Sequence, residues 1–184
     1  IITKPETLHI CYCNTSTRYL WNDSKEIIHP LEKNWFFKNI SFFTKTFLRI
    51  WDRLAAERVD YYIANSKTAK KRIKKYYQKE SIVINPPCEA EKFYISSQVE
   101  NYYLIISRLR PYKKIDLAIE AFNKLKLPLK IIGDGEDKER LKKIAGSNVE
   151  FLGRVSDQKK AEYLSKCLAL IFPQEEDFGI TPLE

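Results

Sequence analysis

Short apolar runs and stripes with helical spacing take turns along this chain, and in the second half the alternation is regular. Tyr102 to Ile106, Leu129 to Ile132, Val149 to Leu152 and Leu168 to Phe172 are largely apolar runs of strand length. Between them, Ile115, Ala118, Ile119 and Phe122 recur at steps of three and four, the mark of one buried helix face. Asp137 to Ala145 and Gln158 to Lys166 predict two more helices, the second capped by Ser156 or Asp157. Strands alternating with helices of this length predict a parallel sheet with right-handed crossovers.

The first half is less even. His9 to Cys13 reads as a short strand that enters a polar loop, Asn14 to Arg18. Phe36, Ile40, Phe43, Phe47, Ile50 or Trp51, and Leu54 trace a helical stripe in residues 35–59. Packing into a core is the favoured expectation for this stripe, ahead of a membrane-docking face or an acceptor cleft. Asp60 to Ala64 is a strand, and Asn65-Ser66 offers an N-cap to a basic helix over Lys67 to Gln78. Ser81 to Ile84 is a further strand, stopped by Asn85-Pro86-Pro87, and Cys88 to Glu100 has weak periodicity and reads as a linker between domains. A domain boundary is therefore expected between residues 88 and 89. No internal repeat or low-complexity tract is present.

Composition narrows the class. With 184 residues, 44% hydrophobic and 30% charged, the chain suits one large folded domain or two small ones. No apolar run approaches the roughly 20 residues of a membrane-spanning helix, and Ile1 to Glu6 lacks the pattern of a secretory signal. The absence of methionine and the stop at Glu184 lead us to expect an internal piece of a longer protein. The four cysteines show no C-x-x-C spacing, and with two histidines a zinc site is short of ligands. Cys11 and Cys13 are expected on one buried strand face, and a reducing cytoplasm suits this cysteine usage.

The net charge of +8 invites acidic partners: nucleic acid, anionic lipid or a phosphorylated substrate. Lys70, Lys71, Arg72, Lys74 and Lys75 crowd the basic helix. A solvated face is favoured there over attraction to an anionic membrane. Nucleic acid ranks third, because no recognised binding module accompanies the charge.

Three loops carry candidate chemistry. Ser107 to Lys113 follows a strand and precedes a helix, so Arg108 and Lys113 stand beside a helix N-terminus at a strand's carboxyl edge. They form either a diphosphate site or an ion-paired arginine and a solvated lysine. Gly133-Asp134-Gly135 follows the next strand, but position 138 is Lys and the 107–113 turn has no glycine. A dinucleotide fingerprint is therefore missing, which disfavours NAD and FAD. Glu176 and Glu184 bracket Gly179 in the loop after the last apolar run. Carboxylates accept from hydroxyls, whereas loop N–H groups donate to anionic oxygens, so a nucleotide sugar would suit this loop. No G-x-S-x-G, H-E-x-x-H or P-loop lysine motif is present, which removes the usual supports for hydrolase or kinase chemistry.

In order and spacing, Ser107 to Lys113, Ile115 to Phe122, Ile131 to Gly135, Phe151 to Arg154 and Glu176 to Glu184 resemble the retaining GT-B glycosyltransferases of family 4 (group 1). Tyr61 to Lys67 and Ile84 to Pro87 resemble the end of that family's N-terminal domain. The resemblance implies an α/β, GT-B type fold with two Rossmann-like domains, both incomplete in this chain. Residues 1–88 would be the C-terminal part of the acceptor-side domain. Residues 89–184 would be the N-terminal part of the nucleotide-sugar-binding domain.

By the same resemblance, Arg108 and Lys113 hold the donor diphosphate, Glu176 contacts the transferred sugar and Glu184 takes the ribose hydroxyls. Backbone N–H groups around Phe178, Gly179 and Ile180 approach sugar or phosphate. Gly153, Arg154 and Val155 lie near the base, while Gly133, read from the residues themselves, allows a tight strand-to-helix turn near a ligand. Relatives often carry histidine in the first donor loop where this chain has Asn14. The implied reaction moves a sugar, of mannose type, from a nucleotide donor to a glycan or lipid-linked acceptor with retention, as in surface polysaccharide synthesis. It needs neither metal nor cofactor, and implies a cytoplasmic protein with peripheral contact at the inner face of the cell membrane. Alternatives are a nucleotide-sugar epimerase of the same architecture, a non-catalytic nucleotide-binding remnant and, last, a basic nucleic-acid-binding module.

Overall fold

A computed structural model of the chain describes residue 4, residues 6–21 and residues 35–184. It comprises two compact units, Ile1–Pro86 and Pro87–Glu184. Trp35 to Ser41 belong to a helix, but their side chains, including those of Phe36 and Ile40, lie outside the described set.

In the first unit, β1 (Ile10–Cys13), β2 (Tyr61–Ala64) and β3 (Ser81–Val83) form a parallel sheet in that order. Between β1 and β2 come a single helical turn, α1 (Arg18–Trp21), and the long helix α2 (Trp35–Glu57). The basic helix begins as α3 (Lys67–Arg72), where the Ser66 Oγ accepts from the Ala69 N–H at 3.0 Å. It runs on as a π turn over Ile73–Tyr77 and stops at left-handed Gln78 (φ 56°). Cys13, Ala56, Val59, Tyr62, Ala64, Ala69, Ile73 and Tyr77 make the core, with half-buried Cys11 packed against it. Lys70, Lys71, Lys74 and Lys75 are exposed, while Arg72 is buried.

The aromatic stripe of α2 does not enter that core, contrary to the sequence expectation. Phe43, Phe47, Trp51 and Leu54 are 72%, 68%, 57% and 62% exposed in this unit. The reason lies on the opposite face. Asp52 accepts from the Thr17 hydroxyl at 2.8 Å and from the Trp21 indole N–H at 2.7 Å. Arg49 Nε donates to the Leu20 carbonyl at 2.7 Å, and Arg53 reaches the Tyr76 carbonyl at 3.1 Å. These charge-assisted bonds hold the 49, 52, 53 and 56 face of α2 inward and turn the aromatic positions out. One face of the sheet is likewise apolar and open, at Ile10, Tyr12, Tyr61 and Ile82. Among the described residues, no helix is long and apolar enough to cross a membrane.

The second unit opens with a 3₁₀ turn at Ala90–Lys92, inside the stretch read as a linker. Then follow β4 (Tyr103–Ile106), a 3₁₀ turn at Pro111–Lys113, α4 (Ile115–Leu125), β5 (Leu129–Ile132) and α5 (Lys138–Ile144). Next come β6 (Val149–Gly153), α6 (Asp157–Lys166) and β7 (Ala169–Leu170). All four strands are parallel, in the order β6-β5-β4-β7. The ladder at β7 is short, but the Leu168 and Ile171 N–H groups extend it to the Tyr102 and Leu104 carbonyls.

Both faces of this sheet are covered, which is why its strands read as nearly unbroken apolar runs. Ile105, Leu129 and Ile131 pack with Ile115, Ala118, Ile119 and Phe122 of α4 and Leu141 of α5. On the other face, Leu104 and Ile132 meet Tyr163 and Leu164 of α6. Lys130, a charge in mid-strand, sets its ammonium 4.3 Å from the Tyr102 ring centroid and 5.3 Å from that of Tyr163. Arg140 ties α5 to α4 by bonds to Asp137 at 2.6 and 2.7 Å and to Asp116 at 3.0 Å.

Candidate functional site

The strand order of the second unit contains one reversal. From β4 the chain moves outward through β5 to β6, then returns to place β7 on the other side of β4. The loops leaving β4 and β7 thus diverge at the sheet's carboxyl edge, where open α/β sheets bind ligands. Arg108 and Lys113 come from the first of these loops and Glu176 from the second.

The floor of the crevice is built from backbone. Ser107 N–H donates to the Ile132 carbonyl at 3.0 Å, Leu109 N–H to that of Asp134 at 3.1 Å, and Gly133 N–H to that of Gly153 at 2.8 Å. The loops after β4, β5 and β6 are thereby stitched side by side. Such close approach excludes a side chain at Gly133, where φ is +138° and a Cβ would fall 1.8 Å from the Ser107 carbonyl oxygen. At Gly135 a Cβ would fall 2.2 Å from the Leu109 carbonyl oxygen.

A cavity of about 760 Å³ opens over this floor, and Arg108, Lys113, Gly133, Arg154, Val155 and Glu176 all line it. Lys113 is ion-paired with Glu176 Oε1, and the two side chains are only 12% and 24% exposed. Gln174 Nε2 donates to the same oxygen at 3.1 Å, while its own Oε1 accepts from the Ser107 hydroxyl at 2.8 Å. A relay of polar contacts therefore runs Ser107–Gln174–Glu176–Lys113 across the switch point. Lys113 also lies 5.2 Å from the Tyr112 ring centroid. Arg108 and Arg154 are exposed at the rim. On the wall, the Gly135 N–H, helped by Lys138 and Arg154, holds Asp134 below the usual carboxylate range.

The other expected residues are placed elsewhere. Glu184 lines a second cavity and gives both carboxylate oxygens to the Lys160 ammonium at 3.0 Å. Ile180 lines that second cavity too. Phe178 and Gly179 lie in the intervening loop and line neither cavity, with Gly179 at φ +76°. Among the described residues, the N–H groups of Phe178, Gly179 and Ile180 donate to no backbone carbonyl. Gly153 (φ +70°) turns the chain out of β6, with nothing within 4 Å of where a Cβ would stand. Asn14 is exposed in the first unit, at the mouth of a smaller cavity with Cys13 and Thr15.

Sequence reasoning did not single out Ser107, Tyr112, Asp134 or Gln174 as lining residues. Gln174 had one available signal, its place two residues before Glu176 in the same loop. Nothing in the sequence announced Lys160, which meets Glu184 only through the packing of α6.

The model of the family described as Glycosyl transferases group 1 matches residues 88–184. The O-antigen chain mannosyltransferase C of Escherichia coli is 30% identical over 139 residues, covering 67% of this chain and 36% of that protein. D-rhamnosyltransferase WbpZ of Pseudomonas aeruginosa is 33% identical over 90 residues, 45% of this chain and 24% of that protein. The chain thus spans well under half the length of the curated relatives it matches. Among solved structures, TarM superposes with a TM-score of 0.60 at 19% identity, over 71% of this chain and 28% of that one. Anabaena HepE, solved with UDP and glucose, gives 0.56 at 18% identity, over 68% and 40%. These likenesses agree with two α/β units bearing parallel sheets, the GT-B type. By its sequence match and its fold, the chain belongs to the group 1 glycosyltransferases.

Proposed function

We propose that the chain belongs to a glycosyltransferase that moves a sugar from a nucleotide donor to a glycan or lipid-linked acceptor, keeping the anomeric configuration. The observation that carries this reading is the shared cavity at the switch point, where Lys113 pairs with Glu176 and Arg108 lines the same space. In this reading a donor diphosphate lies between the two cations, and Glu176 accepts from a sugar hydroxyl. As the bond from anomeric carbon to phosphate oxygen breaks, charge grows on the diphosphate. The two cations stabilise that charge, a contribution of roughly 3–4 kcal/mol per well-placed donor in comparable sites. The acceptor oxygen bonds to the anomeric carbon on the face the diphosphate leaves, and its proton passes to the departing phosphate oxygen.

Lys113 enters this scheme already paired, so donor binding exchanges part of its contact with Glu176 for phosphate. The mannosyl- and rhamnosyltransferase names of the relatives support a hexose or deoxyhexose donor in polysaccharide synthesis. In this reading residues 89–184 bind the donor and residues 1–88 face the acceptor. The exposed apolar stripe of α2 is consistent with peripheral membrane contact on the cytoplasmic side.

The test is to measure sugar transfer and nucleotide release with a panel of GDP- and UDP-sugars, with and without chelator. Transfer that survives chelation and is abolished by Glu176→Ala supports the proposal. Epimerised donor without acceptor product, or nucleotide binding with neither product, would replace it with one of the alternatives.

A further inference from the structure

Gln174 stands in the loop after β7 and Ser107 follows β4, and they meet because β7 lies beside β4. The Gln174 amide bridges the two loops. Its Oε1 accepts from the Ser107 hydroxyl at 2.8 Å, and its Nε2 donates to Glu176 Oε1 at 3.1 Å. Chemistry fixes that orientation, since a carboxylate only accepts and so must face the amide's donor end. The Ser107 proton has a second acceptor, the Arg108 carbonyl at 3.2 Å, but Gln174 is the nearer. Ser107 is itself anchored, its N–H tied to the Ile132 carbonyl at 3.0 Å in the cavity floor. Lys113 also pairs with Glu176 through Oε1. Among the described residues, Glu176 Oε2 accepts nothing.

The two partners of Oε1 differ in kind. Lys113 is a cation, so an entering diphosphate competes with Glu176 for it. Gln174 is neutral, and the pull of the diphosphate on it is correspondingly weak. A carboxylate tethered by Lys113 alone would swing after the ammonium or turn to water. We propose that Gln174 is a positioning residue: it holds Glu176 by Oε1 while Lys113 turns to phosphate, which keeps Oε2 presented to a hydroxyl of the transferred sugar. The inference rests on the nucleotide-donor reading above and adds the residue that keeps its sugar contact aimed.

The experiment is calorimetric titration of the full chain with GDP-mannose, UDP-glucose, GDP and UDP. Wild type, Gln174→Leu and Gln174→Glu are compared, with thermal melts to confirm that each is folded. Loss of one hydrogen bond to a charged group is a drop of roughly tenfold or more in affinity. Gln174→Leu is expected to show that drop with the sugar donor that wild type binds, and a change within about twofold with the free nucleotides. Gln174→Glu keeps the acceptor for Ser107 but sets a second carboxylate against Glu176. Two carboxylates so close share a proton, and the protonated pair regains the donor. Its deficit against wild type, with the same sugar donor at the same pH, should therefore shrink as pH falls from about 8 to about 5. Equal weakening of sugar donors and free nucleotides by Gln174→Leu, no weakening of either, or a Gln174→Glu deficit level with pH overturns the positioning role and leaves the donor reading standing. Failure of wild type to bind either sugar donor overturns that reading itself, and this inference with it.

Discussion

Replacing Lys113 with methionine separates a catalytic cation from a structural one. Its pair with Glu176 is neither a surface contact nor a fully buried one, at 12% and 24% exposure. Exposed pairs contribute about 0–1 kcal/mol, and breaking a buried pair costs about 3–5 kcal/mol. Glu176 keeps its bond from Gln174 after the change, so the loss belongs near the lower part of that interval, about 1–2 kcal/mol. For a chain of this size that is a fall in Tm of roughly 2–8 °C. Activity should fall far more. If Lys113 stabilises charge on a departing diphosphate, its removal costs about 10²–10³ in turnover. The assay pairs thermal melts with nucleotide release under saturating donor. A second variant, Lys113→Met with Glu176→Met, removes both charges and should regain stability through the coupling between neighbours, about 0.5–3 kcal/mol, while remaining inactive. Turnover that falls only in proportion to the folded fraction would refute the catalytic role and leave a structural ion pair.

Gly133→Ala should destabilise the second unit by about 2–4 kcal/mol, because its Cβ would fall 1.8 Å from the Ser107 oxygen at φ +138°; denaturant melts within 0.5 kcal/mol of wild type, a loss of roughly nothing, would contradict the stitched-loop floor. Ser66→Ala removes the N-cap bond to Ala69 and should cost about 1 kcal/mol, read from the same melts. Phe43→Ser and Phe47→Ser, at 72% and 68% exposure, should change stability by less than about 0.5 kcal/mol, and a larger loss in denaturant melts would contradict the outward turn of the stripe. Burial pushes the Tyr77 hydroxyl up to about 12 and that of Tyr62 up as well. The unfolded chain releases these protons near the ordinary tyrosine value of about 10, so their contribution is intact below that pH. It should be lost as pH rises toward about 12, and melts across this range that stay level would contradict it.

The second unit was the more legible in sequence, and the reason is physical. Its sheet is covered on both faces, so β4 and β5 had to be apolar along nearly their whole length and the intervening helices had to show one apolar face. Ser66 and Ser156, each just ahead of a helical pattern, both act as side-chain caps in the structure. The stripe on α2 was read correctly as helical and wrongly as core. Periodicity reports that a helix has two unlike faces, and here the polar bonds of Arg49, Asp52 and Arg53 decided which one turned inward. Likewise, the weak pattern after Cys88 concealed a 3₁₀ turn and the Phe93 ring that covers Lys160.

By itself, the order of residues determined the alternation of strands and helices, the position of the loops after β4, β5 and β7, and the charges those loops carry. It therefore placed Arg108, Lys113 and Glu176 at carboxyl edges of strands, since each edge is a local matter of where an apolar run stops. Tertiary structure alone decided which edges are neighbours. The return of β7 to the side of β4 brings Glu176 to Lys113, while the packing of α6 draws Glu184 to Lys160 in another cavity. Both glutamates have the same side chain and stand in one short loop. They differ in partner because a few residues of turn, wound about the Ile180 carbonyl, carry the second into a different cavity from the first.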